Sequence, residues 1–282
     1  MSANDKNKVT VHTLRAQKRK GIKTVLTTCY DYPQAIISDN ANVDAILVGD
    51  SIGMTTLGYD STLPVTMDDM IRSAKAVARG NKKAFLIGDM PYMSYQASDE
   101  EAVRNAGRFI RVGMDCIKLE GVMTDRIKAI SDAGIMVMGH LGLTPQTKAK
   151  LGGYKVQGKT ARQAELILEE ARQVQDAGCS FLLLEGMPRE SAEIIAKELT
   201  IPVYGIGAGD CVDGQLLILH DMLGLFWDFK PKFAKRYCEA GQIMCDALKT
   251  YAEEVRGGIF PGEENFYEIK DSEKDKLVND KE

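Results

Sequence analysis

The sequence lacks the features that define several common protein classes. None of its six cysteines forms a CxxC pair, and no histidine stands at zinc-finger spacing from them. Scattered single cysteines are typical of core residues in a reducing compartment. No apolar run is long enough to span a bilayer, and MSANDKNKVT at the start has neither a signal-peptide nor a transit-peptide pattern. We therefore expect a cytoplasmic protein without a membrane partner.

The sequence also lacks an excess of positive charge. Lys and Arg number 36 against 40 Asp and Glu, which gives a formal net charge of −4. The last twenty residues contain eight acids and four lysines, so the rest of the chain is neutral overall. Nucleic-acid binding needs a concentrated basic patch, and a solvated helix face explains the single basic run at residues 15–23. We expect no nucleic-acid partner.

Short apolar runs alternate with longer segments of helical periodicity. Eight runs have the length and composition of buried parallel strands: residues 24–29, 45–50, 84–89, 116–120, 135–140, 181–185, 202–207 and 216–220. Helix starts are indicated between them, as by Ser98 with Glu101 and by Thr160 with Gln163. Eightfold alternation predicts an α/β protein with a (β/α)8 TIM barrel. A doubly wound open sheet is the alternative, because alternation alone does not close a barrel.

The segments that flank the barrel are predicted to be helical or unstructured. A short helix containing Val11 and Leu14 is expected to cap the lower end, and residues 232–255 are expected to form a C-terminal helical extension. Residues 270–282 are dense in charge and nearly without apolar side chains, which predicts a disordered tail. Since no internal stretch rich in Pro, Gly or Ser marks a boundary, residues 1–269 are predicted to be one domain.

Five successive predicted strands, the second to the sixth, end in a group that can bind a metal or move a proton. These groups are Asp50, Asp89, Glu120, His140 and Glu185. In a barrel the C-terminal ends of the strands form the reactive face. A single acid after a strand is usually a helix cap or a solvated loop residue, but five such groups converging on one mouth favour a functional site.

The chemistry of these groups indicates separate roles. Three of them are hard oxygen donors of the kind that Mg2+ prefers: Asp50, Asp89 and Glu120. Lys118 lies two residues before Glu120 on the same face of its strand; it could bind an anionic carboxylate, or it could be a snorkelling lysine neutralised by a nearby acid. Glu185 ends the apolar run FLLLE and is a candidate general base. His140 could donate a hydrogen bond or merely pack.

The segments around these residues resemble the ketopantoate hydroxymethyltransferase (3-methyl-2-oxobutanoate hydroxymethyltransferase) family of pantothenate biosynthesis. The match extends from about Val9 to about Phe266. The segments that carry it include TTCYDYP, LVGDSIGM, GYDSTLPVTMDDM, GDMPYMSY, IKLEG, GHLGLTPQ, GGYKVQGK, LLLEGMP and PKFAKRY. So many long segments in one order make the resemblance specific.

The resemblance implies the transfer of a one-carbon unit from 5,10-methylenetetrahydrofolate to α-ketoisovalerate, giving ketopantoate and tetrahydrofolate. It also implies a homo-oligomer, commonly a decamer. By position it implies one Mg2+ per subunit held by Asp50, Asp89 and Glu120. The residues that would contact the α-keto acid are Asp50, Ser51, Asp89 and Lys118. Glu185 would remove the C3 proton while Mg2+ stabilises negative charge on the keto oxygen.

Two other functions remain as alternatives. A Mg-dependent lyase or mutase for α-keto acids, of the isocitrate lyase or phosphoenolpyruvate mutase type, also places acids at strand ends, but the sequence has no segment like the KKCGH of the lyases. A barrel that has lost catalysis and acts as a binding protein is the second alternative. Loss of catalysis would be expected to remove at least one of the five strand-end groups, and all five are present.

Overall fold

The computed structural model describes residues 8–279. Eight parallel strands form one closed barrel, in which each strand pairs with the next along the chain and the eighth pairs with the first. The strands are β1 (Thr24–Thr28), β2 (Ala45–Val48), β3 (Phe85–Asp89), β4 (Cys116–Glu120), β5 (Met136–Gly142), β6 (Phe181–Glu185), β7 (Val203–Ile206) and β8 (Gly214–Leu217). The predicted (β/α)8 barrel is confirmed, and the doubly wound alternative is wrong.

Helices precede, connect and follow the strands. They are α1 (Val11–Lys20), α2 (Tyr32–Asn40), α3 (Ile52–Thr55), α4 (Met67–Gly80), α5 (Asp99–Arg111), α6 (Thr124–Asp132), α7 (Ala161–Asp176), α8 (Arg189–Glu198), α9 (Leu219–Met222), α10 (Ala240–Arg256) and α11 (Asp271–Asn279). The predicted caps form, because Ser98 and Thr160 accept the backbone N–H groups of Glu101 and Gln163 at 3.1 and 3.2 Å. No helix among the described residues is long and apolar enough to cross a membrane.

Helix α1 closes the lower end of the barrel as predicted. It ends at Gly21, whose φ of 66° lies in the left-handed region that glycine adopts at little cost. Its one buried residue, Leu14, packs into a cluster inside the barrel that includes Phe85 and Phe181. The ring of Phe181 contacts those of Phe85 and Tyr204, with centroids 5.5 and 6.0 Å apart. The lower interior is therefore apolar.

The eighth strand begins two residues earlier than predicted. Gly214 pairs with both Thr24 and Tyr204 in the neighbouring strands. A Cβ at position 214 would lie 2.5 Å from the carbonyl oxygen of Thr24 and 2.9 Å from the Tyr204 ring. This strand therefore starts at a glycine because of close packing, which an apolar pattern does not reveal. Residues 219–222, predicted in part as strand, form α9 instead.

The C-terminal extension is helical, but α10 begins at Ala240 instead of residue 232. The backbone before it pairs elsewhere, since Tyr237 and Ala240 donate N–H groups to the carbonyls of Met222 and Leu223 at 2.8 Å. Helix α11 lies in the segment for which disorder is predicted, and its described side chains are exposed. The single domain at residues 1–269 and the disordered tail at residues 270–282 stay predictions. Residues 1–7 of that domain and residues 280–282 of that tail lie outside the described residues.

Candidate active site

The predicted site residues meet at the C-terminal mouth of the barrel. Strand register explains the first contacts, because Asp89 is paired with Lys118 across β3 and β4, and Glu120 with His140 across β4 and β5. Asp50 follows β2, and its backbone N–H donates to Asp89 Oδ2 at 3.0 Å. All five of these residues are buried. The mouth is thus a polar cluster above an apolar interior.

Lys118 lies inside this cluster and does not extend to solvent. Its Nζ is 2.6 Å from Asp89 Oδ1 and 3.4 Å from Glu120 Oε1. Burial alone would lower the pKa of the ammonium, but the surrounding carboxylates, of which Asp89 is the strongest, raise it above its usual value. Lys118 therefore carries a permanent positive charge among the acids, which it neutralises only in part.

Asp50 is the acid whose charge is least compensated. Burial and the negative charge of Asp89 raise the pKa of Asp50 well above its usual value. Its Oδ2 accepts a hydrogen bond from Gln146 Nε2 at 2.9 Å. Its Oδ1 has no hydrogen-bond partner among residues 8–279. This oxygen is available to a ligand in the mouth.

His140 lies between the cluster and Glu185. Its Nδ1 is 3.3 Å from Glu120 Oε1 and its Nε2 is 3.2 Å from Glu185 Oε2, although neither approach has the angle of a hydrogen bond. Burial and the charge of Lys118 lower the pKa of the His140 imidazole. Glu120 and Glu185 raise it by more, so that the pKa is about 9. Burial would raise the pKa of Glu120, but Lys118 and His140 lower it. Among these groups Glu185 is the more accessible carboxylate, with its side chain 17% exposed.

The charges of the cluster fit a divalent cation. Three buried carboxylates, those of Asp50, Asp89 and Glu120, face the single ammonium of Lys118. Their oxygens are hard donors, and the negative charge that remains beside Lys118 and His140 favours a cation. Within the described residues, no three acid, imidazole or thiol groups are already arranged to hold a metal ion. Mg2+ usually keeps several waters or substrate oxygens, so a few protein ligands are sufficient.

The structure adds three residues that sequence reasoning did not select. Tyr30, at the end of β1, places its hydroxyl 2.8 Å from Ser51 Oγ. Tyr95 donates its hydroxyl to Gln146 Oε1 at 2.7 Å, and Gln146 also contacts Asp50. All three lie in segments that carry the family resemblance, TTCYDYP, GDMPYMSY and GHLGLTPQ. Polar residues just after strands in those segments were the available signal.

The long loop between β5 and α7 reaches the entrance of the mouth. Tyr154, in the segment GGYKVQGK, lies with its hydroxyl 3.9 Å from Met54 Sδ. The side chain is half-exposed, and partial burial together with the negative charge of Asp50 and Glu185 raises the pKa of its hydroxyl. An aromatic side chain therefore borders the path between solvent and the acids.

Comparison with known sequences shows which family this chain resembles. A family model described as ketopantoate hydroxymethyltransferase matches residues 8–263. The chain is 49% identical over 263 residues to a 3-methyl-2-oxobutanoate hydroxymethyltransferase of Caldicellulosiruptor saccharolyticus, covering 93% of this chain and 100% of that protein. It is 48% identical over 273 residues to a protein of the same name from Clostridium kluyveri, covering 96% of this chain and 98% of the relative.

Solved structures with the same fold are far more distant in sequence. A phosphonopyruvate hydrolase in complex with oxalate and Mg++ matches with a TM-score of 0.61 and 12% identity, covering 95% of this chain and 96% of the other. A 2,3-dimethylmalate lyase, described as a member of the PEP mutase/isocitrate lyase superfamily, matches with a TM-score of 0.59 and 15% identity, covering 95% and 94%. At such identities the likeness shows the fold alone.

Proposed function

The chain is an enzyme of the ketopantoate hydroxymethyltransferase family, and we propose that it transfers a hydroxymethyl group from 5,10-methylenetetrahydrofolate to 3-methyl-2-oxobutanoate. The products would be 2-dehydropantoate and tetrahydrofolate, on the route to pantothenate and coenzyme A. The observation that best supports this reaction is that one mouth joins a buried cluster with excess negative charge to a separate, more accessible carboxylate at Glu185. Such a pair of groups suits removal of a proton next to a carbonyl.

The proposed cofactor is one Mg2+ per subunit, held directly or through water by Asp50, Asp89 and Glu120. The hard donors and the uncompensated charge support this assignment. When bound, the ion would supply Lewis acidity at the keto oxygen of the substrate. Asp50 Oδ1 is the carboxylate oxygen best placed to contribute, because the hydrogen bond from Gln146 occupies Oδ2.

The substrate contacts are proposed for Asp50, Ser51, Asp89 and Lys118. The Lys118 ammonium would attract the carboxylate of the α-keto acid. The Ser51 hydroxyl lies 2.8 Å from the Tyr30 hydroxyl, and it would either donate a hydrogen bond to the substrate or be kept from the substrate by its bond to Tyr30. Burial of the cluster excludes water and strengthens these polar contacts. Together they would fix the substrate with C3 toward Glu185.

Glu185 is the proposed general base that takes the C3 proton. His140 Nε2 lies 3.2 Å from its Oε2. The imidazole would therefore orient the carboxylate and leave Oε1 for the substrate. The resulting carbanion would attack the methylene carbon of the opened folate iminium, whose C=N electron pair moves to the nitrogen. Hydrolysis of the remaining C–N bond by one water would supply the hydroxyl oxygen of 2-dehydropantoate, and the nitrogen would take the proton and leave as tetrahydrofolate.

The test is an assay of purified protein with 3-methyl-2-oxobutanoate and Mg2+, with and without 5,10-methylenetetrahydrofolate. We expect 2-dehydropantoate only when the folate is present. Consumption of α-keto acids without folate would instead favour a lyase or mutase. Absence of any metal-dependent turnover would favour a barrel without catalysis.

We also propose that the protein is a cytoplasmic homo-oligomer, of decamer size as the resemblance implies. No residue of α10 is buried within one chain, and its exposed apolar side chains form a surface suited to another copy: Ile243, Met244, Leu248, Tyr251 and Val255. All six cysteines are free thiols, which suits a reducing compartment. Sedimentation velocity measures the assembly size, and a monomer at micromolar concentration would contradict the oligomer.

A further inference from the structure

We propose that Gln146 is a positioning residue that sets the affinity of the mouth for a divalent cation, by fixing the carboxylates of Asp50 and Glu120. This role rests on the proposed metal site but goes beyond its ligand set. Gln146 lies in a single turn of 3-10 helix, Pro145–Thr147, directly after β5. Its side chain is buried.

Every polar valence of the Gln146 amide is engaged at the mouth. Its Nε2 donates to Asp50 Oδ2 and to the carbonyl oxygen of Met90, both at 2.9 Å. Its Oε1 accepts the Tyr95 hydroxyl at 2.7 Å and the Gln96 Nε2 group at 3.5 Å. The two partners of Nε2 are acceptors only, so the orientation of the amide is fixed by chemistry. Rotation of Asp50 about its terminal bond would break one of these bonds.

The backbone of Gln146 orients a second acid. Its N–H donates to Glu120 Oε2 at 3.0 Å. Tyr95 strengthens the same arrangement, because its hydroxyl oxygen accepts the backbone N–H of Glu120 at 3.1 Å while its proton goes to Gln146. One residue, through its side chain and its backbone N–H, therefore ties together the ends of β2, β3 and β4. It leaves Asp50 Oδ1 as the free oxygen of that carboxylate.

The consequence is a pre-set donor geometry. Groups that hydrogen-bond to metal ligands fix ligand orientation, and their loss typically costs about 10–100-fold in metal affinity. An apolar side chain of similar size at position 146 would remove the hydrogen bond to Asp50 Oδ2 and let this carboxylate turn toward Lys118. The affinity for the ion would fall although no ligand has been removed.

The experiment measures Mn2+ binding to the purified full chain by electron paramagnetic resonance, without substrate or turnover. Gln146→Leu should weaken binding by about 10–100-fold relative to wild type. Tyr95→Phe, which removes one hydroxyl, should weaken it by a smaller factor in the same direction. Gln175→Leu is the matched control: Gln175 accepts backbone N–H groups of Thr200 and Ile201 at 2.8 and 3.3 Å, away from the mouth. It should lower the unfolding temperature without changing Mn2+ binding.

The outcomes separate the two proposals. If wild type binds Mn2+ and Gln146→Leu binds it equally well, the role of Gln146 is wrong and the metal site stands. If wild type binds no Mn2+, the metal site and this role are both wrong. Should Gln146→Leu fail to fold, Tyr95→Phe decides: unchanged Mn2+ affinity in that variant contradicts the role.

Discussion

Three acids at each end of the barrel can be compared, since all six are buried or partly buried, but they are neutralised in different ways. At the lower end Asp44, Asp115 and Asp213 each precede a strand. Each carboxylate accepts a backbone N–H from the preceding strand at 2.8–2.9 Å. The donors, in the same order, are Val25, Leu86 and Val203. Each also takes a side-chain donor, from Gln17, Lys8 or Lys18. The lower acids therefore tie the strands to one another and to α1 or the residues just before it.

At the mouth three acids share one lysine. Asp50, Asp89 and Glu120 surround Lys118, and the pKa of Asp50 is raised by burial and by Asp89. The difference indicates that the acids before the strands serve stability, and it supports the proposal that the acids after the strands bind a cation. Uncompensated buried charge costs stability, as functional sites commonly do.

The largest expected effect is loss of catalysis at the mouth in Glu185→Gln. The variant should lose about 10^2–10^4-fold of the exchange of the C3 hydrogen with solvent deuterium, because a general base contributes about that factor. Nuclear magnetic resonance of 3-methyl-2-oxobutanoate in deuterated buffer measures the exchange. Binding of the substrate should persist.

The matched control for this variant is Glu190→Gln, an exposed glutamate in the first turn of α8. It should exchange the C3 hydrogen at the wild-type rate. Normal exchange in Glu185→Gln would remove Glu185 from the role of base. In that case only Asp50, Asp89 and Glu120 would support the contrast between the two ends of the barrel.

We expect an intermediate effect on the stability of the metal-free protein from single Asp-to-Asn changes. The change in stability should have opposite signs at the two ends of the barrel. Asp213→Asn should destabilise the fold by about 1–3 kcal/mol, because charge-assisted bonds from Lys18 and Val203 weaken. Asp50→Asn should raise the unfolding temperature, because it removes a buried charge while its amide oxygen can still accept from Gln146. Calorimetry in EDTA measures both.

This pair of variants tests the comparison directly. Destabilisation by both substitutions would mean that Asp50 is as structural as Asp213. In that case the charge at the mouth is balanced within the fold, and the main support for a cation is lost. Mn2+ binding should be lost in Asp50→Asn and kept in Asp213→Asn.

The sequence was sufficient to locate the eight strands and the acids of the mouth, because buried parallel strands are short apolar runs and the acids lie at their C-terminal ends. Local patterns did not decide between a closed barrel and an open sheet, since closure depends on the pairing of β8 with β1. The start of β8 at Gly214 was not predictable, since it depends on contact with Thr24 and Tyr204. Gln146 was not predicted, because its role depends on the loop conformation that brings its side chain to Asp50.

The acids of the lower end were missed for a related reason. Asp44, Asp115 and Asp213 sit before strands, where an acid is expected to be a solvated loop residue. Their function depends on the register between neighbouring strands, which places each carboxylate beside a free N–H. The register between strands is set by the closed sheet, so it cannot be recognised in a short segment of the sequence.

The smallest effect is expected for removal of the charged tail, residues 270–282, which belongs to neither end of the barrel. Among the described residues of the tail, the ion pairs join it only to itself and to Glu268. Deletion should therefore leave folate-dependent turnover, Mn2+ binding and the unfolding temperature unchanged. Enzyme assay and calorimetry of the truncated chain measure these quantities. A large loss of turnover with normal unfolding would show that the tail acts at the mouth, and the functional end would then include a segment that lies outside the barrel.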